Sequence, residues 1–326
     1  MKKLLSLVIP FLLLISCTST ERKITLPSSN ASSMNQVLVV MDNDLWQGIE
    51  GDELRKVTGE EVLGLPQREP QFRVTQIPVN AFKNLFKLHR NILIVAIGKE
   101  TGFNVKTNRY ASPQTMITLV ANNKESLISL IQQKKLEITR VFKNAEIKAL
   151  QRKLRRKQFD TSTLKTLENL GVSLEIPINY KLVDDTGDFL WMRKYIKQGQ
   201  TMNLIVYELP ITSTEDTEGK NIVSVRDTIG KKYIPGQFED TYLITEQAYS
   251  PHTFLVELNG KKTFETRGKW EVKGDFMAGP FLNYTVVDKV NNRLVVVEGF
   301  TYAPTTNKRD FMFELEAILK TVKIKN

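Results

Sequence analysis

The residues able to do chemistry fall into two acidic–aromatic groups far apart in the chain. Asp42 and Asp44 close a short aliphatic run, with Trp46 just beyond, and Arg267, Trp270 and Asp275 cluster near the start of the last quarter. Two carboxylates roughly 5–9 Å apart serve as the acid and base, or the nucleophile, of a hydrolase. Asp42 or Asp44 with Asp275 is the pair this sequence offers, and only folding could bring it together. Asp42, Asp44 and Glu53 also match three ligand positions of a calcium loop. Trp46 and Gln47 stand where a further oxygen ligand and a glycine belong, which excludes an EF-hand. The two histidines, His89 and His252, have no metal-type spacing, and H-E-x-x-H, G-x-S-x-G and Walker loops are all missing. Cys17 is the only cysteine, leaving no disulfide and no cysteine-ligated metal. The expectation is therefore no metal and no cofactor.

Binding is the other chemistry these residues could serve. Arg267, Trp270 and Asp275 mix charge with a large aromatic on one predicted hairpin, as a ligand-contacting edge would. Asp42, Asp44 and Trp46 follow a predicted strand, where open α/β sheets hold ligands. Each group has a plain structural reading beside this one. The acids suit a turn and a helix cap, and Trp270 suits a core, with the stem of Arg267 covering it. Within residues 262–273, Phe264, Thr266, Gly268 and Trp270 share one parity and Lys269, Glu271 and Lys273 the other. Successive strand residues face opposite sides, so this alternation turns Trp270 away from the charged face and predicts its burial.

The elements that must position these residues change character along the chain. Residues 36–41, 72–77 and 91–97 read as strands, separated by helical patterns at 52–57 and 80–88. Residues 123–159 carry apolar positions at three- and four-residue steps, a helix long enough to predict a break or a protruding arm. That pattern ends in Arg152-Lys153-Leu154-Arg155-Arg156-Lys157, a solvated face or a contact for anionic headgroups or an acidic partner. A short helix at 162–170 stops at Gly171, a suitable C′ glycine. Beyond it, strands are predicted at 174–183, 189–195, 202–209, 242–245, 254–258, 262–273, 284–289 and 293–300. An amphipathic helix over 307–322 closes the chain. The fold class expected is α+β: an α/β-like amino-terminal half with long helices, then a strand-rich, mainly antiparallel half closed by the carboxyl-terminal helix.

The first residues set the compartment. Lys2 and Lys3 precede an almost unbroken apolar run over 4–15, an export signal too short for a permanent membrane span. Leu14-Ile15-Ser16-Cys17 resembles the lipobox of bacterial lipoproteins. That resemblance implies cleavage before Cys17 and acyl chains, palmitate among them, on its sulfur and new amino terminus. One acyl chain holds a protein only marginally, whereas two or more hold it stably. The chain has a formal charge of +10, or +8 without Lys2 and Lys3. Export argues against nucleic acid as the partner of that charge, leaving anionic headgroups or acidic glycans. Residues 17–35 are rich in Ser, Thr and Asn and are expected to form a flexible tether. Only one acid and two bases follow the cysteine in Thr18-Ser19-Thr20-Glu21-Arg22-Lys23, so the acidic address of surface-exported lipoproteins is missing.

Several dispersed motifs complete the reading. Leu45-Trp46-Gln47-Gly48, Gly64-Leu65-Pro66-Gln67-Arg68-Glu69-Pro70, Arg90-Asn91-Ile92-Leu93, the stretch from Arg267-Gly268-Lys269-Trp270 to Gly279-Pro280-Phe281, and Gly299-Phe300-Thr301-Tyr302-Ala303-Pro304 with Lys308-Arg309-Asp310 appear in order. Together they resemble DUF4837, a lipoprotein family of unknown function from Bacteroidetes-type bacteria. The resemblance spans nearly all of the mature chain and implies one composite unit, so halves at 36–171 and 172–326 are expected to fold together. The resulting expectation is an envelope lipoprotein anchored through Cys17, most simply in the outer membrane and facing the periplasm. It would bind an envelope protein, glycan or lipid without catalysis. The alternative is an envelope hydrolase with the dispersed carboxylate pair.

Overall fold

The computed structural model describes residues 26–29, 33–197 and 199–325. The export signal and Cys17 lie outside the described residues. The chain begins with β1 (Gln36–Val40), an aliphatic strand buried on both faces. Two helices follow, α1 (Asn43–Gln47) and α2 (Ile49–Thr58), so the helical pattern expected at 52–57 begins earlier. Then come β2 (Arg73–Ile77), β3 (Asn91–Ile97), β4 (Gly102–Thr107) and β5 (Thr115–Ala121), giving the order β2-β1-β3-β5-β4. All pairings are parallel except β4 on β5, an antiparallel edge. Parallel strands are covered on both faces, which explains their unbroken Val/Ile/Leu runs. Residues 80–88 form two 3₁₀ turns rather than the expected helix. Asn84 takes φ +45 and interrupts it, leaving Leu85 and Phe86 exposed.

Helix α3 (Lys124–Leu154) is continuous over 31 residues, so the expected break does not occur. It contains no Gly or Pro, and Asn123 caps it by accepting a hydrogen bond from the Ser126 N–H at 2.8 Å. Its two ends have different jobs. Leu127, Leu130, Ile131, Ile138 and Phe142 pack on the first sheet, and Ile147 and Leu150 pack on the last helix.

The rest of the chain builds a second sheet. Helix α4 (Lys165–Asn169) leads into β6 (Val172–Ser173) and β7 (Lys181–Asp185). The single strand expected at 174–183 is therefore replaced by two short ones, with Pro177 in the irregular link. Strands β8 (Phe189–Tyr195) and β9 (Thr201–Pro210) precede α5 (Ile222–Tyr233), a helix the sequence pattern did not reveal. Strands β10 (Tyr242–Thr245), β11 (His252–Leu258), β12 (Lys261–Lys273), β13 (Ala278–Asp288) and β14 (Arg293–Tyr302) follow. Helix α6 (Arg309–Leu319) and β15 (Lys323–Ile324) end the chain, β15 pairing with β6. The order β10-β12-β13-β14-β9-β8-β7 is antiparallel throughout, and β11 joins the same edge of β12 as β10. The α+β class is thus observed, with a mainly antiparallel second half closed by a helix.

Alternation along the long strands gives this sheet two buried faces. Tyr284, Val286, Val295 and Val297 meet Leu315, Ile318 and Leu319 of α6, together with Leu164, Leu167 and Leu170 around α4. That covering layer starts inside the stretch the sequence groups with the first half. Phe281, Val296, Phe300 and Trp270 point the other way, beneath α5 and the loop after it.

The halves are locked together at α6. Gln151 of α3 donates to the Ala317 carbonyl at 2.9 Å. Glu69, buried in a loop of the first half, accepts from the backbone N–H of Lys308 at 2.6 Å and of Arg309 at 3.2 Å. A carboxylate at a helix amino terminus satisfies orphan donors and meets the positive end of the helix dipole. Gly64, at φ +83, lies against β12; a Cβ there would stand 2.9 Å from Gly268 N. The expected tether is also held where it is described. Ser112 N–H donates to Pro27 O at 2.9 Å, and Asn35 N–H donates to Glu146 at 3.2 Å.

Candidate functional site

Strand β12 carries Arg267 and Trp270 on opposite faces, so Arg267 does not cover the tryptophan as expected. Arg267 faces α6 and a cavity of about 180 Å³ between the halves. Its Nε donates to Glu265 at 2.6 Å and its Nη2 to Glu316 at 2.7 Å. Tyr284 OH donates to the second Glu265 oxygen at 3.0 Å. Lys143 from α3 and Lys320 stand 3.0 and 2.7 Å from Glu316 Oε1, as ion pairs outside hydrogen-bonding geometry. Burial pushes the Glu316 carboxyl up, but Arg267, Lys143 and Lys320 outweigh it and hold it well below the usual range. For Glu265 burial again acts upward, and Arg267 brings the net shift down. Both carboxylates are thus ionised at neutral pH, and neither can serve as the proton donor of an acid–base pair. Burial also drives the Lys143 ammonium down, against the pull of Glu316. This cluster is a clamp in which each charge has an opposite partner, while Glu316 Oε1 makes ion pairs but no hydrogen bond.

A second buried pair shows the same satisfaction. Arg226 of α5 reaches through the other face to Glu298, with Nη2–Oε1 at 2.9 Å, and Asn283 and Thr245 complete its bonds. Its guanidinium lies 3.9 Å from the Phe281 ring centre.

The Trp270 face is different. A cleft of about 260 Å³ opens between the sheet and the loop after α5, walled by Trp191, Trp270, Phe300 and Tyr302. Trp270 is 2% exposed and meets Phe300 edge-on at 5.6 Å. Gly279 opposite makes room, since a Cβ there would stand 3.0 Å from the indole nitrogen. That nitrogen is buried and has no acceptor among the described residues. Arg193, also on the lining, lies 4.6 Å from the Trp191 ring centre and commits only Nε, to Asn203 at 3.0 Å. The Trp191 indole donates to the same Asn203 oxygen at 3.0 Å. Gln237 and Met277 complete the rim, and their neighbours Phe238 and Phe276 are exposed. Asp275 lies in the β12–β13 turn, one oxygen accepting from the Phe276 N–H at 2.6 Å and the other buried without a partner.

Asp42, Asp44 and Trp46 sit elsewhere, at the end of β1. Asp42 occupies the N-cap position of α1 without a side-chain cap bond, and both acids are exposed. Trp46 is held under Arg55, whose guanidinium lies 4.6 Å from its ring centre. The fold therefore brings together Arg267, Trp270 and Asp275 on one hairpin, and Asp42, Asp44 and Trp46 on one helix, in different sheets. Sequence reading missed Glu265, Glu316, Lys143, Glu69 and Arg193. Glu316 had a signal, being an acid inside the apolar stripe of Met312, Leu315 and Leu319. Among the described residues no cluster of three metal-ligating side chains occurs, and no helix is long and apolar enough to cross a membrane.

Two sheets, a clamp between them and a cleft lined in part by aromatic rings define a two-part α+β protein. The chain belongs to the family described as domain of unknown function DUF4837, whose sequence model matches residues 159–321. A second domain of unknown function, DUF8532, matches residues 30–155. No curated protein matches the chain. Among solved structures, LpqN of Mycobacterium tuberculosis, described as involved in cell envelope biogenesis, aligns over 48% of this chain and 83% of its own. Identity is 13% and the TM-score 0.29, so that likeness assigns neither fold nor role.

Proposed function

We propose that this chain is an envelope lipoprotein, anchored through acylated Cys17, that binds a saccharide-class ligand in the aromatic cleft without turning it over. The carrying observation is the buried Trp270 N–H, which has no acceptor among the described residues and lies at the wall of a cleft that joins Trp191, Phe300 and Tyr302 to the polar groups of Arg193, Asn203 and Gln237. A buried donor left unpaired is costly, and a ligand oxygen would relieve that cost. Aromatic faces stack on sugar C–H groups, and the free edge of Arg193 suits hydroxyl or carboxylate oxygens. Asp42 and Asp44 lie at the end of β1 and Asp275 in the β12–β13 turn of the other sheet, so the hydrolase reading has no comparable support.

Tryptophan fluorescence titrated with envelope oligosaccharides tests this on the wild type and Trp270→Phe, which keeps a ring and deletes the donor. Saturable quenching lost in a variant that still melts cooperatively is expected; unchanged affinity would reject the cleft as the site. Lipidation is read separately, from the intact mass of the membrane form, where acyl additions on Cys17 are expected. Protease shaving of intact cells should leave the protein whole, as the periplasmic face of the outer membrane requires.

A further inference from the structure

A groove of about 530 Å³ runs between the second half of α3 and the β4–β5 hairpin, away from the clamp and the aromatic cleft. Arg140, Asn144, Lys148 and Arg152 line it from α3, each four residues after the last and so on one helix face. The lining contains no acid. Arg90, also on the lining, is already spent on Glu146 at 2.5 and 2.8 Å. Arg140, Lys148 and Arg152 have no ion pair or side-chain hydrogen bond among the described residues. Lys148 and Arg152, like charges four apart on the helix, repel, and the row has no counter-charge among the described residues. Past Arg152 it continues into Lys153, Arg156 and Lys157, all exposed, while Arg155 is taken by Glu175 at 2.6 Å.

The position of the anchor segment is an independent observation. Pro27 and Ser29 hydrogen-bond to the Ser112 backbone, immediately before the groove-lining residues Pro113, Gln114 and Thr115. From Cys17 to Pro27 the chain can reach at most about 35 Å. An anchor at Cys17 would therefore hold the Ser112 end of the groove within about 35 Å of the bilayer.

We infer that the groove docks the anionic headgroups of the membrane that carries the anchor. The inference rests on the lipoprotein reading for the groove's placement, and the cation row supplies the charge complement. Docking would orient the body, so that the second sheet and its aromatic cleft point away from the membrane.

The test uses the chain from Cys17 to Asn326 with Cys17→Ser, which carries no acyl group, sedimented with vesicles. Phosphatidylglycerol–phosphatidylcholine vesicles should retain it at low salt and release it as salt rises. Pure phosphatidylcholine should not retain it. Arg140→Ala, Lys148→Ala and Arg152→Ala combined should weaken retention on the order of 100-fold with an unchanged melting curve. Equal binding to neutral vesicles, or a triple variant that binds like the parent, overturns the inference. So does saturable binding of inorganic pyrophosphate with no vesicle retention, which would mark a small-anion site. Because acylation is absent from this assay, an unlipidated native Cys17 would defeat the anchor reading and leave the vesicle result to stand on its own.

Discussion

Arg267 and Trp270 share a strand, and their surroundings follow opposite rules. On the Arg267 face every charge is answered, by two carboxylates, a tyrosine and two lysines drawn from both halves. On the Trp270 face a buried indole N–H lies beside a cleft with no acceptor among the described residues. Buried charges that each meet an opposite charge help lock a fold, whereas an unpartnered donor beside a cleft leaves room for a ligand oxygen. The polar residues most strongly held are therefore the least suited to function.

The largest effect should come from breaking the satisfied face. Arg267→Ala leaves Glu265 and Glu316 buried without their shared counter-charge, a loss of about 3–5 kcal/mol, read by denaturant unfolding. A shift under 1 kcal/mol would mean the clamp is wet and weak. Trp270→Ala should lose about 3–5 kcal/mol through its cavity, while Trp270→Phe should lose less yet abolish ligand binding, separating packing from recognition. Residues 36–171 and 172–326 expressed apart should each fail to fold cooperatively, because α6 draws its cap, Glu69, and one cation of its clamp, Lys143, from the first half. Two independent cooperative melts would show that the contacts between halves are dispensable.

A smaller loss, about 1–2 kcal/mol, is expected for Glu69→Ala, which strips the amino-terminal cap from α6. The smallest signal is in pH. Glu265 and Glu316 have depressed values in the folded state, so their stabilisation is complete above the unfolded carboxyl value, about 4.3, and is lost as pH falls through the folded values. The melting temperature should be level down to about pH 5 and then decline. In Glu316→Gln that decline should be shallower, and an identical slope would place the acid-sensitive groups elsewhere.

What could be read beforehand follows from how local each signal is. Strands such as β8, β10 and β12 were legible because two-residue alternation and flanking turn residues lie within the segment itself. Helix α6 was legible from Phe311, Leu315, Ile318 and Leu319. Helix α5 was not, because Val223, Val225 and Tyr233 mimic a strand and Arg226 interrupts its apolar stripe to reach Glu298. The burial of Trp270 followed from parity alone. The clamp could not be read, since Lys143, Glu265 and Glu316 meet only after both sheets have formed. The DUF4837 match begins only at residue 159, short of the nearly full span expected, and Gly64 and Glu69 lie in the DUF8532 segment; each has a role across the halves, Gly64 against β12 and Glu69 on the amino terminus of the helix begun by Arg309 and Asp310.

The Glu69 cap also has a consequence for the order in which the chain assembles. Glu69 and Lys308 are 239 residues apart, and closing a loop of that length costs about 5 kcal/mol of chain entropy. The last helix cannot be finished by its own neighbourhood and must wait for the first sheet. Contacts of such long range slow folding. In a chain delivered amino terminus first, the backbone N–H groups of Lys308 and Arg309 therefore stay uncapped until both halves have formed, which makes the first turn of α6 the last part of that helix to be fixed and the first to fray.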